Sequence, residues 1–156
     1  MKVERLYLSA EQGAPQIEQA SIRVVAGAGI EGDRYFGCRD EPGQNLTLIE
    51  IEEIEAFFSE QGREPDLSIT RRNVLTRGVR LNALVGAEFL VGEVRLRGVE
   101  LCEPCRIMGA ALSFPGFSSA EVVKRFLQRG GLRAEVLSSG QIQRGAALTL
   151  LSPASD

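Results

Sequence analysis

Cys102 and Cys105 stand in a C-x-x-C spacing inside "RLRGVELCEPCRIMGAA", residues 95–111, in a chain that has three cysteines in all. Such a pair could be a redox dithiol, half of a zinc site, one reactive thiolate with a bystander, or buried packing. A structural zinc site wants four ligands of Cys or His type. Here only Cys38 remains and histidine is absent, so zinc is disfavoured. Thioredoxin-like dithiols sit beside a βαβ pattern, and none surrounds this pair. A Cys102–Cys105 thiol switch therefore stands as an alternative. Pro104 disfavours helix at Glu103 and permits helix onset around residues 104–106. Cys105 is then expected in a first turn, beside Arg106, where the macrodipole and a cation favour the thiolate. Cys102 ends an apolar strand pattern and reads as a small buried hydrophobe. Cys38 falls in a long polar loop.

The absence of histidine removes Ser-His-Asp and Cys-His catalysis and imidazole general-base chemistry. Chemistry must come from cysteine, carboxylates, arginine, hydroxyls or a cofactor. The net charge of −3 argues against nucleic-acid binding. Of 18 cations only Lys2 and Lys124 are lysines. Base composition accounts for such a bias, but guanidinium also suits phosphate and carboxylate, so arginine clusters matter. No apolar run is long enough to span a bilayer, and Glu4 and Arg5 interrupt the N-terminal apolar pattern, unlike a signal peptide. With an odd cysteine count, the expected setting is the cytoplasm.

These residues must be held by the elements around them. A length of 156 residues suggests one domain with a real core. Strands are expected at 3–10 and around 22–25, followed by a long glycine-rich loop at 29–44. A strand at 46–49 leads into a helix with Ile51, Ile54, Phe57 and Phe58 on one face and Gly62 as its stop. A strand over 69–79, a short helical turn and two strands follow across 81–101. The 118–131 stretch reads as a helix capped at Ser118 or Ser119, with Glu121 in its first turn, Val122, Val123, Phe126 and Leu127 on its apolar face, and Gly130 at its end. Residues 132–151 read as strand, tight turn, strand, and 152–156 as a frayed tail. The pattern is mainly β with α (α+β), a compact barrel with a few flanking helices.

"GIEGDRYFG", "NLTLIE", "RRNVLTRGVRLNALVGAEFLVGEVRLRGVELCEPC" and "RGGLRAEVLSSGQIQRGAALTL", in this order and spacing, resemble the MOSC domain, the molybdenum cofactor sulfurase C-terminal domain. The resemblance covers about residues 3–151, as a standalone single-domain member. It implies a β-barrel-like fold and binding of the molybdenum cofactor, Mo-molybdopterin. It implies that Cys105, after Pro104, ligates molybdenum or carries sulfur, and that Arg71 and Asn73 hold the pterin and phosphate. In an expected strand, alternation sets Arg71 and Asn73 on one face and Arg72 on the other. An Arg and an Asn side by side make a fork for such a group, where the plainer reading is a solvated strand face. Gly32-Asp33-Arg34 is either a turn held by Asp33 or a loop edge bringing Arg34 to the cofactor. Asn45 and Thr47 match the start of the family's pocket wall.

Two features of the larger relatives have no counterpart in this sequence. The aminotransferase-like domain of the sulfurases is missing and neither lysine has a Schiff-base context, so pyridoxal phosphate is not expected. The N-terminal segment that helps the mitochondrial-type reductases to hold the cofactor is also missing. The expected function is a molybdenum-cofactor protein that reduces N-hydroxylated bases or amines, with electrons from a separate partner and Cys105 as metal ligand. The alternatives are a sulfur carrier with a Cys105 persulfide and the Cys102–Cys105 thiol protein.

Overall fold

The computed structural model describes residues 1–37, 45–104 and 106–151, for 106 and 107 the backbone alone. Cys38, Cys105 and the 152–156 tail lie outside the described residues.

The strands are β1 (Lys2–Leu8), β2 (Ile17–Gln19), β3 (Ser21–Val25), β4 (Gly29–Ile30), β5 (Leu46–Glu50), β6 (Val74–Arg77), β7 (Glu88–Val91), β8 (Val94–Leu101), β9 (Leu132–Val136), β10 (Gly140–Gln143) and β11 (Leu148–Leu150). Helices α1 (Ile51–Glu60), α2 (Arg106–Leu112) and α3 (Ser119–Arg125) lie between them, with a 3₁₀ turn at Leu81–Leu84. The expected α+β class, mostly strand with flanking helices, is what the chain adopts.

One sheet has the order β11-β7-β8-β9-β5-β6-β1-β2, and a second has β10-β3-β4. The β5–β6 pair is parallel, which requires a crossover, and α1 supplies it. The larger sheet curls into a half-barrel. Register shifts in β1 between Val3 and Arg5, and in β8 between Gly98 and Glu100, add bend. Its far parts meet where Val3 N donates to Ala146 O (2.8 Å), Gly145 N to Val3 O (2.8 Å) and Leu148 N to Met1 O (3.0 Å).

Strand alternation sorts the apolar side chains into two cores. Leu6, Leu46, Leu48, Val74, Leu132 and Ala134 point into the curled sheet, where Ile22, Val24, Ile30 and Ile142 of the small sheet cover them. Tyr7, Ile49 and Leu75 point outward, against Ile54, Phe57 and Phe58 of α1, Met108 and Leu112 of α2, and Val122 of α3. The apolar face expected for α1 is the buried one.

Four expectations need correction. Residues 69–73 are not strand: Arg71 takes a left-handed φ of +61°, which breaks the extended run, and β6 begins only at Val74. The third helix stops at Arg125, after which the chain turns through a left-handed Gln128 (φ +61°), so Leu127 leaves the apolar face and is 53% exposed. Its cap is as expected, with Ser118 and Glu121 forming a reciprocal capping box. Residues 132–151 are not a hairpin. Ser138 Oγ accepts from Arg95 N (2.8 Å) and Ser139 Oγ from Ala26 N (3.0 Å), and these bonds hand the chain across to pair β10 with β3. The described part of the 29–44 loop is not structureless, since it opens with β4.

Candidate functional site

A cavity of about 180 Å³ opens on the outer side of the half-barrel, between β5, β9, the 69–73 turn and α2. Its floor follows from strand register. Thr47 pairs with Arg133 across β5 and β9. Their neighbours Leu46, Leu48, Leu132 and Ala134 all face the inner core, so Thr47 and Arg133 face out into the cavity. Met108 and Ala111, one turn apart on α2, form the facing wall, and Cys102 follows the end of β8.

The 69–73 turn supplies the rest. Arg71 Nη1 donates to Ala14 O (2.7 Å), and Nη2 to Ser9 Oγ (3.4 Å). A non-glycine residue in the left-handed region costs on the order of 1 kcal/mol, and these two bonds hold it there. Arg72 turns the other way: Nε donates to Gly130 O (2.9 Å), Nη1 to Thr70 O (3.4 Å) and Nη2 to Cys102 O (3.4 Å). The expected strand would have put Arg71 and Arg72 on opposite faces. The turn brings both to one cavity.

Gly130 and Gly131 let the Cys102 segment lie close. Cys102 N donates to Gly131 O (2.8 Å). A Cβ on Gly130 would collide with the Cys102 carbonyl, and one on Gly131 (φ +105°) with the Leu48 carbonyl. The free thiol of Cys102 is buried, and its residue lines the cavity.

Arg34 and Tyr35 form the remaining side, and Asp33 behind them holds it. The buried Asp33 carboxylate accepts from Ser9 N (3.1 Å) and Arg34 Nη1 (3.3 Å) through Oδ1, and from Tyr35 N (3.4 Å) through Oδ2. The carboxylate thus holds the turn while Arg34 and Tyr35 reach the cavity wall. Asn73 is nearly inaccessible, at 2% exposure. Its Oδ1 accepts from Thr47 N and Oγ1 (both 3.1 Å), and its Nδ2 donates to Tyr7 O (3.2 Å). The amide is thus spent on holding the wall. Asn45 lies off the cavity: its Oδ1 accepts from Val136 N (2.9 Å) and its Nδ2 donates to Gly27 O (3.5 Å).

Of the residues expected at a site, Arg34, Thr47, Arg71 and Asn73 come together here, and Asn45 does not. Cys105 lies outside the described residues. Arg72, Arg133, Thr70 and Tyr35 line the cavity as well, beyond the residues expected there. The paired arginines at 71–72 were a visible signal, whereas Arg133 is identified only by its pairing with Thr47.

Among the described residues the cavity is lined by four arginines and by no Asp or Glu. In such a wall an anion meets preorganised planar donors. The sequence model of the MOSC domain matches residues 37–149. The chain belongs to the MOSC domain family. This family is associated with binding of the molybdenum cofactor. Solved MOSC-like folds agree with the architecture. YuaD of Bacillus subtilis superposes with a TM-score of 0.81 at 19% identity, covering 94% of this chain and 93% of that one. YiiM of Geobacillus stearothermophilus gives 0.72 at 16% identity over 97% and 75%. YiiM of Escherichia coli gives 0.66 at 18% identity over 100% and 72%. At these identities the likeness is one of fold. An 87-residue stretch is also 31% identical to exosome complex component Rrp42 of Thermoplasma acidophilum. That match covers 56% of this chain and 34% of Rrp42, so the chain spans about a third of that relative, and no property is carried over from it.

The residues present suit the anionic, acceptor-rich part of the family's cofactor. The donors are guanidinium and hydroxyl groups, and the buried Thr70 hydroxyl oxygen has no partner among the described residues. No cluster of three or more metal-ligating side chains occurs among the described residues. No helix among the described residues is long and apolar enough to cross a membrane.

Proposed function

We propose that this MOSC protein binds the molybdenum cofactor in the arginine-lined cavity and acts as a reductase of N-hydroxylated bases or amines. The observation that carries the binding is a wall of four guanidiniums with no carboxylate among the described lining residues. Arg71, Arg72 and Arg133 hold the anionic end, and Thr47 and Thr70 add hydroxyls. Met108 and Ala111 exclude water from one side. Asn73 and Asp33 orient the wall without touching the ligand. Cys105 is the metal ligand in this reading, which rests on the family resemblance and on the preference of soft metals for thiolate. When bound, the cofactor supplies two-electron chemistry at an N–O bond, which explains how a chain without histidine can be an enzyme. Electrons come from a separate protein partner.

The test is the molybdenum and pterin content of protein made in a host that synthesises the cofactor. Wild type is expected to carry both, Arg133→Ala to lose both, and Cys105→Ser to lose molybdenum. Pterin in wild type with no Cys105-dependent molybdenum would put the persulfide-carrier reading in front. A folded wild type with neither metal nor pterin would remove the proposal.

A further inference from the structure

We propose that Arg34 and Tyr35 form a flat platform on which the planar heteroaromatic ring of the ligand stacks, while the anion is held by the other guanidiniums. The inference rests on the cavity being the cofactor pocket, and it assigns different parts of the ligand to different arginines.

The first observation is the state of each charge. Arg34 Nη1 lies 3.3 Å from the Asp33 carboxylate, with side chains 8% and 1% exposed. Its charge is already matched by a buried partner, so it adds little to anion attraction. Arg71 and Arg72 differ. Their hydrogen-bond partners are the carbonyls of Ala14, Gly130, Thr70 and Cys102, the Ser9 hydroxyl and the Met108 sulfur, all uncharged. Neither has an ion pair with a carboxylate among the described residues. Arg133 lies 3.6 Å from Glu100, but that pair is open to solvent (37% and 58%) and screened. Among the described residues, the guanidiniums without a carboxylate partner are therefore Arg71 and Arg72, and not Arg34.

The second observation is shape. The Arg34 guanidinium carbon sits 4.5 Å from the centroid of the Tyr35 ring, on its face. Both residues line the cavity, and their stack offers it a flat, polarisable surface. Guanidinium planes and aromatic faces both stack on planar heterocycles. The backbone beneath the platform is held where Arg34 N donates to Ser9 O (2.8 Å) and Tyr35 N to Asp33 Oδ2 (3.4 Å), and the guanidinium is held where Arg34 Nη1 donates to Asp33 Oδ1 (3.3 Å). Little conformational freedom remains to be lost on stacking.

The test separates ring from anion with two probes on the full-length protein. One is 6-hydroxymethylpterin, which has the ring and no phosphate, measured by equilibrium dialysis with fluorescence detection. The other is inorganic phosphate, measured by thermal shift. Arg34→Lys keeps the charge beside Asp33 and removes the plane. Tyr35→Leu removes the ring beneath it and serves if the first variant does not fold. Either variant is expected to weaken pterin binding roughly fivefold to tenfold and to leave phosphate binding within about twofold of wild type. Unchanged pterin affinity, or an equal loss for both probes, would overturn the platform. Phosphate binding by wild type without pterin binding would overturn it as well and leave the anion cavity standing. Binding of neither probe would remove both the cavity reading and this inference.

Discussion

Asn73 and Thr47 are bonded to one another four times across the parallel β5–β6 junction, once through the backbone, where Asn73 N donates to Thr47 O (3.2 Å), and three times through their side chains. Thr47 N and Oγ1 both donate to Asn73 Oδ1, and Asn73 N donates to Thr47 Oγ1, all at 3.1 Å. Asn73 Nδ2 reaches on to Tyr7 O in β1 (3.2 Å). One amide therefore ties the edge of the site to three strands, and its role is structural support of the cavity floor. Asn73→Ala leaves a backbone N–H and a carbonyl unpaired in a buried place, which costs about 2–4 kcal/mol. In a domain of this size the melting temperature should fall on the order of 10 °C. A melting temperature within about 2 °C of wild type would show that the amide does not hold the strands.

Arg71 reverses a usual order of stability. At φ +61° a side chain carries a left-handed penalty that glycine does not. Arg71→Ala and Arg71→Gly both lose the bonds to Ala14 and Ser9, but only alanine keeps the penalty. The glycine variant should be the more stable of the two by about 1 kcal/mol in denaturant unfolding. In a regular strand or helix the order would be the opposite.

These residues also mark what could be read from the sequence. The apolar face of α1 and the Ser118–Glu121 cap were legible because both are set by spacing within one turn or two. The half-barrel class was legible from many short strands and few helices. The left-handed turn at Arg71 was not, because its anchor is Ala14, distant in sequence and beside it only in the fold. Arg133 reads as an ordinary outward strand residue until Thr47 is placed opposite it. The path of 137–139 depends on serine hydroxyls meeting backbone from two other strands. Local chemistry announced the donors, and tertiary pairing decided which of them face one cavity.

Arg72 holds the chain leading to the C-x-x-C pair. Its guanidinium joins Gly130 O and Cys102 O (2.9 and 3.4 Å), so it fixes the wall that keeps Cys102 only 5% exposed. Arg72→Met keeps the stem and removes the donors. Opening of this segment then becomes easier, and alkylation of Cys102 in the native protein should rise about tenfold, the equivalent of one lost charged hydrogen bond. Peptide-resolved mass spectrometry after a timed iodoacetamide pulse reads it directly. Equal rates in the two proteins would assign the protection to Gly130–Gly131 packing alone.

Glu50 gives a pH-dependent prediction. It ends β5 at the entrance to α1, where burial chiefly, with Glu53 and Glu52 nearby, raises its pKa above the usual carboxylate value, against a backbone hydrogen bond from Leu81 and the charge of Arg80. A folded-state pKa above the unfolded one means that the folded chain holds this proton to higher pH. The contribution to stability is fully present below the unfolded value and is lost as pH rises through the folded one. Glu50→Gln mimics the protonated form at every pH. It should melt higher than wild type at pH 7, with the gap narrowing as the pH falls through the folded value and gone below the unfolded carboxylate value. Glu4 and Glu60 are shifted the other way, chiefly by hydrogen bonds from Arg77 and Arg125, and their stabilisation is lost as the solution is acidified. Both proteins share that loss, so the difference between their melting curves isolates Glu50. A gap that stays constant down to acid pH would mean that the substitution acts through packing and not through the proton.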